Sequence, residues 1–251
     1  MTPTAAPILA GNLAPILSPI LAIETSTPVT RVVLVDPRTG SRLAGAEAVA
    51  ERHSANLLRL CAHVMEEAGV TVTALGAIAC GAGPGSFTGL RVGLAAAKGL
   101  AMPTGLPLVL VSSLEALALD MAATTTPGEI LLPCLDAGKG QIFAQIFERR
   151  GRDDVAARTE AWSLLPDALA AQLPVDLTFA YAGTGAVRFR EALAAGFGDR
   201  GHAVVCVGPT ADAVARRAIE KLARGETNDL ADAVPSYGRP PDITRPKRPD
   251  R

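Results

Sequence analysis

Few side chains in this chain can do chemistry, and their spacing decides which. Glu24 closes the apolar run Ile20–Glu24 and is followed by Thr25 and Ser26. A carboxylate beside two hydroxyls at a strand end can hold a magnesium-bound phosphate, giving a residual nucleotide site, or it can satisfy the backbone of a turn. Asp136, in DAGKG, ends a later apolar run in the same way. Residues 81–89, GAGPGSFTG, carry enough glycine to turn sharply and to bring backbone N–H groups near an anion at the next helix start. The stretch has neither the GK[ST] ending of a P-loop nor GxGxxG spacing, so a tight strand-to-helix corner capped by Ser86 or Thr88 is the alternative. His53 and Ser54 are adjacent at a helix start, where their side chains point apart, so Ser54 reads as an N-cap rather than a nucleophile. His53, His63 and His202 are never three or four residues apart, and Cys61, Cys80, Cys134 and Cys206 form no CxxC. No metal site and no redox pair are therefore expected.

Composition narrows the classes further. Across 251 residues, 24 Lys and Arg balance 25 Asp and Glu, and aromatics are 4%. That argues against a broadly basic nucleic-acid coat and against base-stacking modules. Hydrophobic residues at 49% can bury a sizeable core. Scattered cysteines in such a chain read as buried thiols of a reducing cytoplasm. The apolar start lacks a basic residue before Arg31 and is broken by Pro7, Pro15 and Pro19, so residues 1–18 read as a flexible extension rather than a leader. No run is long enough to cross a membrane. Residues 236–251, ending RPPDITRPKRPDR, read as a disordered basic tail.

The elements that must position these residues follow from period. Ile20–Glu24, Thr30–Asp36 and Arg42–Val49 read as three strands joined by TSTP and PRTG turns, hence antiparallel neighbours. Leu57, Leu58, Cys61, Val64, Met65 and Ala68 share one helical face, and Gly69 stops that helix. Strand 75–81, helix 87–101, strand 108–111 and helix 113–122 complete a βββαβαβα order. The same order is expected again: strands 130–135, 141–148 and 155–161, helix 164–172, strand 177–181, helix 186–195, strand 204–207, and helix 211–224 capped by Thr210. Two copies of βββαβαβα are the topology of the ribonuclease-H-like domains of the actin-like ATPase class. The expected domains are 19–125 and 126–235, with helix 210–224 able to pack back on the first.

Beyond its glycines, the chain resembles the TsaB family, also called YeaZ. The segments that carry the resemblance are ILAIETST (20–27), RHSANLL (52–58), IACGAGPGSFTGLRVGLAAAKGLA (78–101) and VSSLEALA (111–118). The family's signature loop corresponds to Gly83, Pro84, Gly85, Ser86, Thr88 and Arg91. LDAGKGQIFAQIF (135–147) resembles the family's DARRGEVY segment, departing from it at Gly138 and Gln141, and AGTGAVRF (182–189) resembles VGDGA.

The resemblance implies a non-catalytic scaffold that heterodimerises with a TsaD-type catalytic subunit. That complex forms N6-threonylcarbamoyladenosine beside the anticodon of tRNAs reading codons that begin with A. A TsaE-type ATPase and tRNA would join through the complex, with ATP or ADP at its interface. The catalytic sister binds metal through HxxxH in VNHMEGHL; aligned here, Ser113 and Leu117 fall at those histidines. The resemblance places the partner interface on helices 54–68 and 86–101, at Leu57, Leu58, Cys61, Val64, Met65, Phe87, Gly89, Leu90, Gly93, Leu94 and Ala97. Self-pairing of the isolated chain stays open. The rival reading is an enzyme of the same superfamily: a small ATPase or kinase using Glu24 and Asp136, or a peptidase.

Overall fold

The structure, a computed structural model, describes residues 17–49 and 53–238. Most of the expected N-terminal extension, the Ser54 cap and the tail from residue 239 lie outside the described residues.

The first half runs β1 (Ile20–Glu24), β2 (Val29–Val35), β3 (Arg42–Val49), α1 (His53–Glu67), β4 (Ala77–Gly81), α2 (Phe87–Thr104), β5 (Leu108–Val111) and α3 (Ser113–Ala122). Its sheet has the order β3-β2-β1-β4-β5, with β1, β2 and β3 antiparallel and β1, β4 and β5 parallel. The central strand β1 is buried along its whole length because both faces of the sheet are covered. Ile20, Ala22, Val33 and Ala79 face one core, while Leu21, Ile23, Val32 and Ile78 face another beneath α1 and α2. Alternation of period two splits a continuous apolar run between two cores.

The second half runs β6 (Ile130–Gly138), β7 (Gln141–Ala144), β8 (Phe147–Arg149), β9 (Val155–Ala157), β10 (Trp162–Leu164), α4 (Pro166–Gln172), β11 (Phe179–Ala182), α5 (Thr184–Arg188), α6 (Arg190–Phe197), β12 (Gly201–Ala203) and α7 (Ala211–Ala223). The sheet order β10-β7-β6-β11-β12 repeats that of the first half. Four details differ from the sequence expectation. The strand expected at 141–148 breaks into β7 and β8, which pair with opposite ends of β6. The strand expected at 155–161 ends at Ala157, and β10 follows as a separate piece on β7. The helix expected at 186–195 is two helices, with Phe189 in a non-helical conformation between them. The last strand lies at 201–203 rather than 204–207; Val205 is almost fully exposed.

The last helix of each half crosses to the other sheet. α7 packs on β1, β2, β4 and β5, and α3 packs on β6. The two helices contact each other, and Arg217 of α7 holds Glu115 of α3 at 2.6 Å. Asp120 of α3 accepts hydrogen bonds from the Thr210 backbone N–H (2.8 Å) and hydroxyl (2.9 Å), fixing the residue that caps α7. Arg216 lies 3.1 Å from the same carboxylate. The two halves are therefore joined at their base by a shared core, and a cleft opens at the carboxyl ends of the parallel strands.

Candidate functional site

The cleft has a volume of about 340 Å³. The β1–β2 turn supplies Ser26, Thr27 and Pro28; the signature loop supplies Gly85, Ser86 and Phe87; the second half supplies Asp136, Phe143 and Thr184; and Tyr237 closes one side. Among the described residues its lining holds no histidine, cysteine or lysine.

Glu24, expected as a candidate magnesium carboxylate, is not in that lining. It is fully buried under the signature loop, accepting from the Ser26 N–H at 2.5 Å and from the Ser113 hydroxyl at 3.1 Å. Burial pushes its carboxyl above the usual range, against the lowering pull of those bonds and of Arg31. A Cβ at Gly81, across the parallel β1–β4 pair, would run into this carboxylate, so Gly81 leaves the room that Glu24 fills. Thr25 is equally sealed: its hydroxyl sits against Gly93 and its carbonyl oxygen against Gly89, and neither glycine could carry a side chain there. Glu24 and Thr25 are thus packed beneath the loop rather than exposed in the cleft lining. Asp136 does reach the cleft, but its carboxylate is held by Arg188 at 2.6 Å and by the Gly138 N–H at 2.9 Å, and its own N–H donates to Thr184 at 3.0 Å.

The signature loop owes its shape to these neighbours. The Ser86 N–H donates to the Ser26 carbonyl at 2.7 Å, and the Ser86 hydroxyl caps α2 by accepting from the Gly89 N–H at 3.2 Å. Gly83 adopts φ +102°, and a Cβ there would meet Leu90 and the Ser236 carbonyl. A Cβ at Gly238 would come within 2.8 Å of both Pro84 and Phe143. Thr88 is exposed. Arg91 stacks its guanidinium 3.8 Å from the Phe87 ring centre and donates to the Tyr237 hydroxyl at 2.9 Å.

Most residues expected at the partner face are turned inward. Leu57, Cys61, Val64, Leu90, Leu94 and Ala97 are buried in the chain's own core. Gly89 and Gly93 admit Thr25 rather than another helix. Met65 is half-buried, and only Leu58 (55% exposed) and Phe87 (53% exposed) of the expected set stand clear of the core. The apolar residues turned outward are Leu58 and Ala62 on α1 and Phe87, Ala95, Gly99 and Met102 on α2, interspersed with exposed Arg59, His63, Glu66, Glu67 and Arg91. The two helices pack side by side, so these residues share one side of the molecule.

Sequence reasoning missed Ser236, Tyr237 and Gly238, which were expected to begin a disordered tail. They are held against the loop: the Ser236 N–H donates to the Ala82 carbonyl at 2.7 Å, and the Tyr237 ring lies 4.9 Å from Phe87. No period marks this segment, which is held by one backbone bond and by the Tyr237 side chain; a tyrosine in a proline-rich stretch was the one available signal.

Two halves whose sheets share one strand order, around a cleft at the strand ends, define a member of the actin-like ATPase fold class. Component A of the (R)-2-hydroxyglutaryl-CoA dehydratase of Acidaminococcus fermentans shares that fold, with a TM-score of 0.50 at 9% identity over 82% of this chain and 99% of that one. YeaZ from Pseudomonas aeruginosa superimposes with a TM-score of 0.75 and 27% identity, covering 88% of this chain and 99% of that chain. The family model described as TsaD, tRNA N6-adenosine threonylcarbamoyltransferase, matches residues 46–236, and the chain belongs to this family. The tRNA threonylcarbamoyladenosine biosynthesis protein TsaB of Escherichia coli K12 is 33% identical over 130 residues, 52% of this chain. The match spans about half the length of that relative, 55%. Among the described residues no helix is long and apolar enough to cross a membrane.

Proposed function

We propose that this chain is a non-catalytic subunit that pairs with a TsaD-type catalytic subunit in forming N6-threonylcarbamoyladenosine on tRNA. A TsaE-type ATPase and tRNA enter through the complex. The observation that carries the reading is the start of α3. Ser113 and Leu117, which fall where the catalytic sister's metal histidines align, are both fully buried. Ser113 donates to Glu24, and Leu117 lies in the core beside Gly183. A buried hydroxyl and an isobutyl group do not fit a metal that imidazoles would hold. The ATPase or kinase reading also loses Glu24, which is sealed away from the cleft. The relative named TsaB supports the subunit role, and the outward face of α1 and α2 supplies apolar area for a partner.

The test is reconstitution with the catalytic subunit and the TsaE-type ATPase, supplied with threonylcarbamoyl-adenylate and unmodified tRNA. The isolated chain should make no modified nucleoside, and adding it to the catalytic subunit should raise the yield. Product from this chain alone, or no gain on adding it, overturns the proposal.

A further inference from the structure

Past α7, the chain does not leave the molecule. Asn228 bridges to Leu108, donating its N–H to the Leu108 carbonyl and accepting from the Leu110 N–H, both at 2.8 Å, so it extends the free edge of β5. Leu230 and Ala233 then touch the core under α1 and α2. Ser236 pairs with Ala82 at the end of β4, Tyr237 lies on Phe87 and Arg91, and Gly238 sits against Pro84 of the first half and Phe143 of the second. The segment thus crosses the mouth of the cleft and touches both walls.

We propose that residues 228–238 form a strap that ties the two walls of the cleft at its mouth, with Tyr237 as its latch on Phe87 and Arg91. The two halves are joined at the base by α3 and α7, and at the mouth Gly238 lies between Pro84 and Phe143 while Gly208 lies between Thr27 and Thr184. The strap is lightly anchored. Of its residues only Ala233 is buried, while Val234 is 68% exposed and Ser236 and Gly238 face solvent. Segments with few buried apolar contacts open locally at low free energy while the core stays folded. The latch itself is one stacked ring pair and one hydrogen bond to a guanidinium, contacts that a competing ligand could replace. A molecule that takes the Phe87 face or the Arg91 N–H held by Tyr237 competes with Tyr237 for it, and displacing Tyr237 frees that side of the cleft. Binding at that contact and release of the strap are therefore linked.

Hydrogen exchange on the full chain tests this, comparing wild type with Tyr237→Ala and Tyr237→Phe, with melting temperatures alongside. In Tyr237→Ala, peptides covering 83–88 and 136–143 should exchange faster by roughly tenfold, the factor carried by an aromatic contact of about 1.4 kcal/mol. Peptides from α3 and α7 should be unchanged. Tyr237→Phe keeps the ring and loses only the bond from Arg91, so its rise should be smaller. Unchanged exchange at 83–88 and 136–143 in Tyr237→Ala overturns the proposal. So does an equal rise in α3 and α7, which would make Tyr237 a general stabiliser rather than a latch.

Discussion

The Ser113 hydroxyl lies 3.1 Å from the Glu24 carboxylate, and both side chains are fully buried. One serine therefore ties together three strand ends: Glu24 at the end of β1, Gly83 after β4, and its own position after β5. It donates its backbone N–H to the Gly83 carbonyl at 2.8 Å and accepts the Gly83 N–H at 3.3 Å. Ser113→Ala removes a donor from a buried carboxylate and leaves the Gly83 N–H without its partner. Stability should fall by about 1–3 kcal/mol. Urea unfolding should show a lower midpoint with an unchanged slope, and an unchanged midpoint would mean that Glu24 does not depend on Ser113.

Glycines on the same helix should respond in opposite directions. Gly93 faces Thr25, whereas nothing lies within 4 Å of a Cβ at Gly99. Gly93→Ala should lower the melting temperature by several degrees through overpacking of about 1–3 kcal/mol. Gly99→Ala should raise it slightly, since alanine is the better helix former by about 1 kcal/mol. Thermal melts of the two variants compare directly, and equal shifts would contradict the inward orientation of Gly93.

Asp120 sets a pH dependence of its own. Burial pushes its carboxyl up to about 6, against the bonds from Thr210 and the charge of Arg216. Its folded pKa lies above the unfolded value of 3.8, so the native state binds the proton more tightly. The stability it contributes is present at low pH and is lost as pH rises from about 4 through about 6. The excursion is on the order of 2–3 kcal/mol at 1.36 kcal/mol per unit. Other carboxylates act oppositely: Asp36 is drawn down to about 2 by hydrogen bonds from Arg38. The measurement is therefore a difference. The stability of wild type minus that of Asp120→Asn should become less favourable to wild type between pH 4 and pH 7. A difference that is flat or grows with pH would show the carboxyl to be ionised at no cost.

Much of this molecule is legible from periodicity, and the parts that are not share a physical cause. Period two and period 3.6 identify which residues are apolar together, so β1 to β5 and α1 to α3 sit within a few residues of expectation. Period does not say what an apolar or small face packs against. Gly89 and Gly93 carried a close approach, but the neighbour is Thr25 of the same chain. In the second half, the break between β9 and β10 depends on tertiary bonds. Thr159 accepts from the Ile146 N–H at 3.1 Å and from Gln145 at 2.7 Å, which turns the chain out of the ladder. Tyr237 was illegible for the same reason, being held by Arg91, a residue 146 positions away.

The outward face of α1 and α2 gives the sharpest test of the proposed partnership. Leu58 is 55% exposed and Met102 is 68% exposed, so neither supports the chain's own core. On α2, exposed Ala95 and Gly99 present little side chain, which lets another helix approach closely. If the catalytic subunit docks here, Leu58→Asp and Met102→Asp each bury a charge opposite an apolar surface. Affinity for the catalytic subunit should then drop roughly 10- to 100-fold, as for loss of an interface anchor of about 1.4–2.8 kcal/mol. The melting temperature of the isolated chain should move by no more than the small helix-propensity cost of aspartate, about 0.7 kcal/mol or less. Cys61→Asp is the contrasting variant, because Cys61 is buried and its thiol is pushed up to about 12 by that burial. It should unfold the isolated chain whether or not a partner exists. Calorimetric titration of each variant with the catalytic subunit, beside thermal melts, separates the two effects. Full affinity in both Leu58→Asp and Met102→Asp would move the partner surface away from these helices.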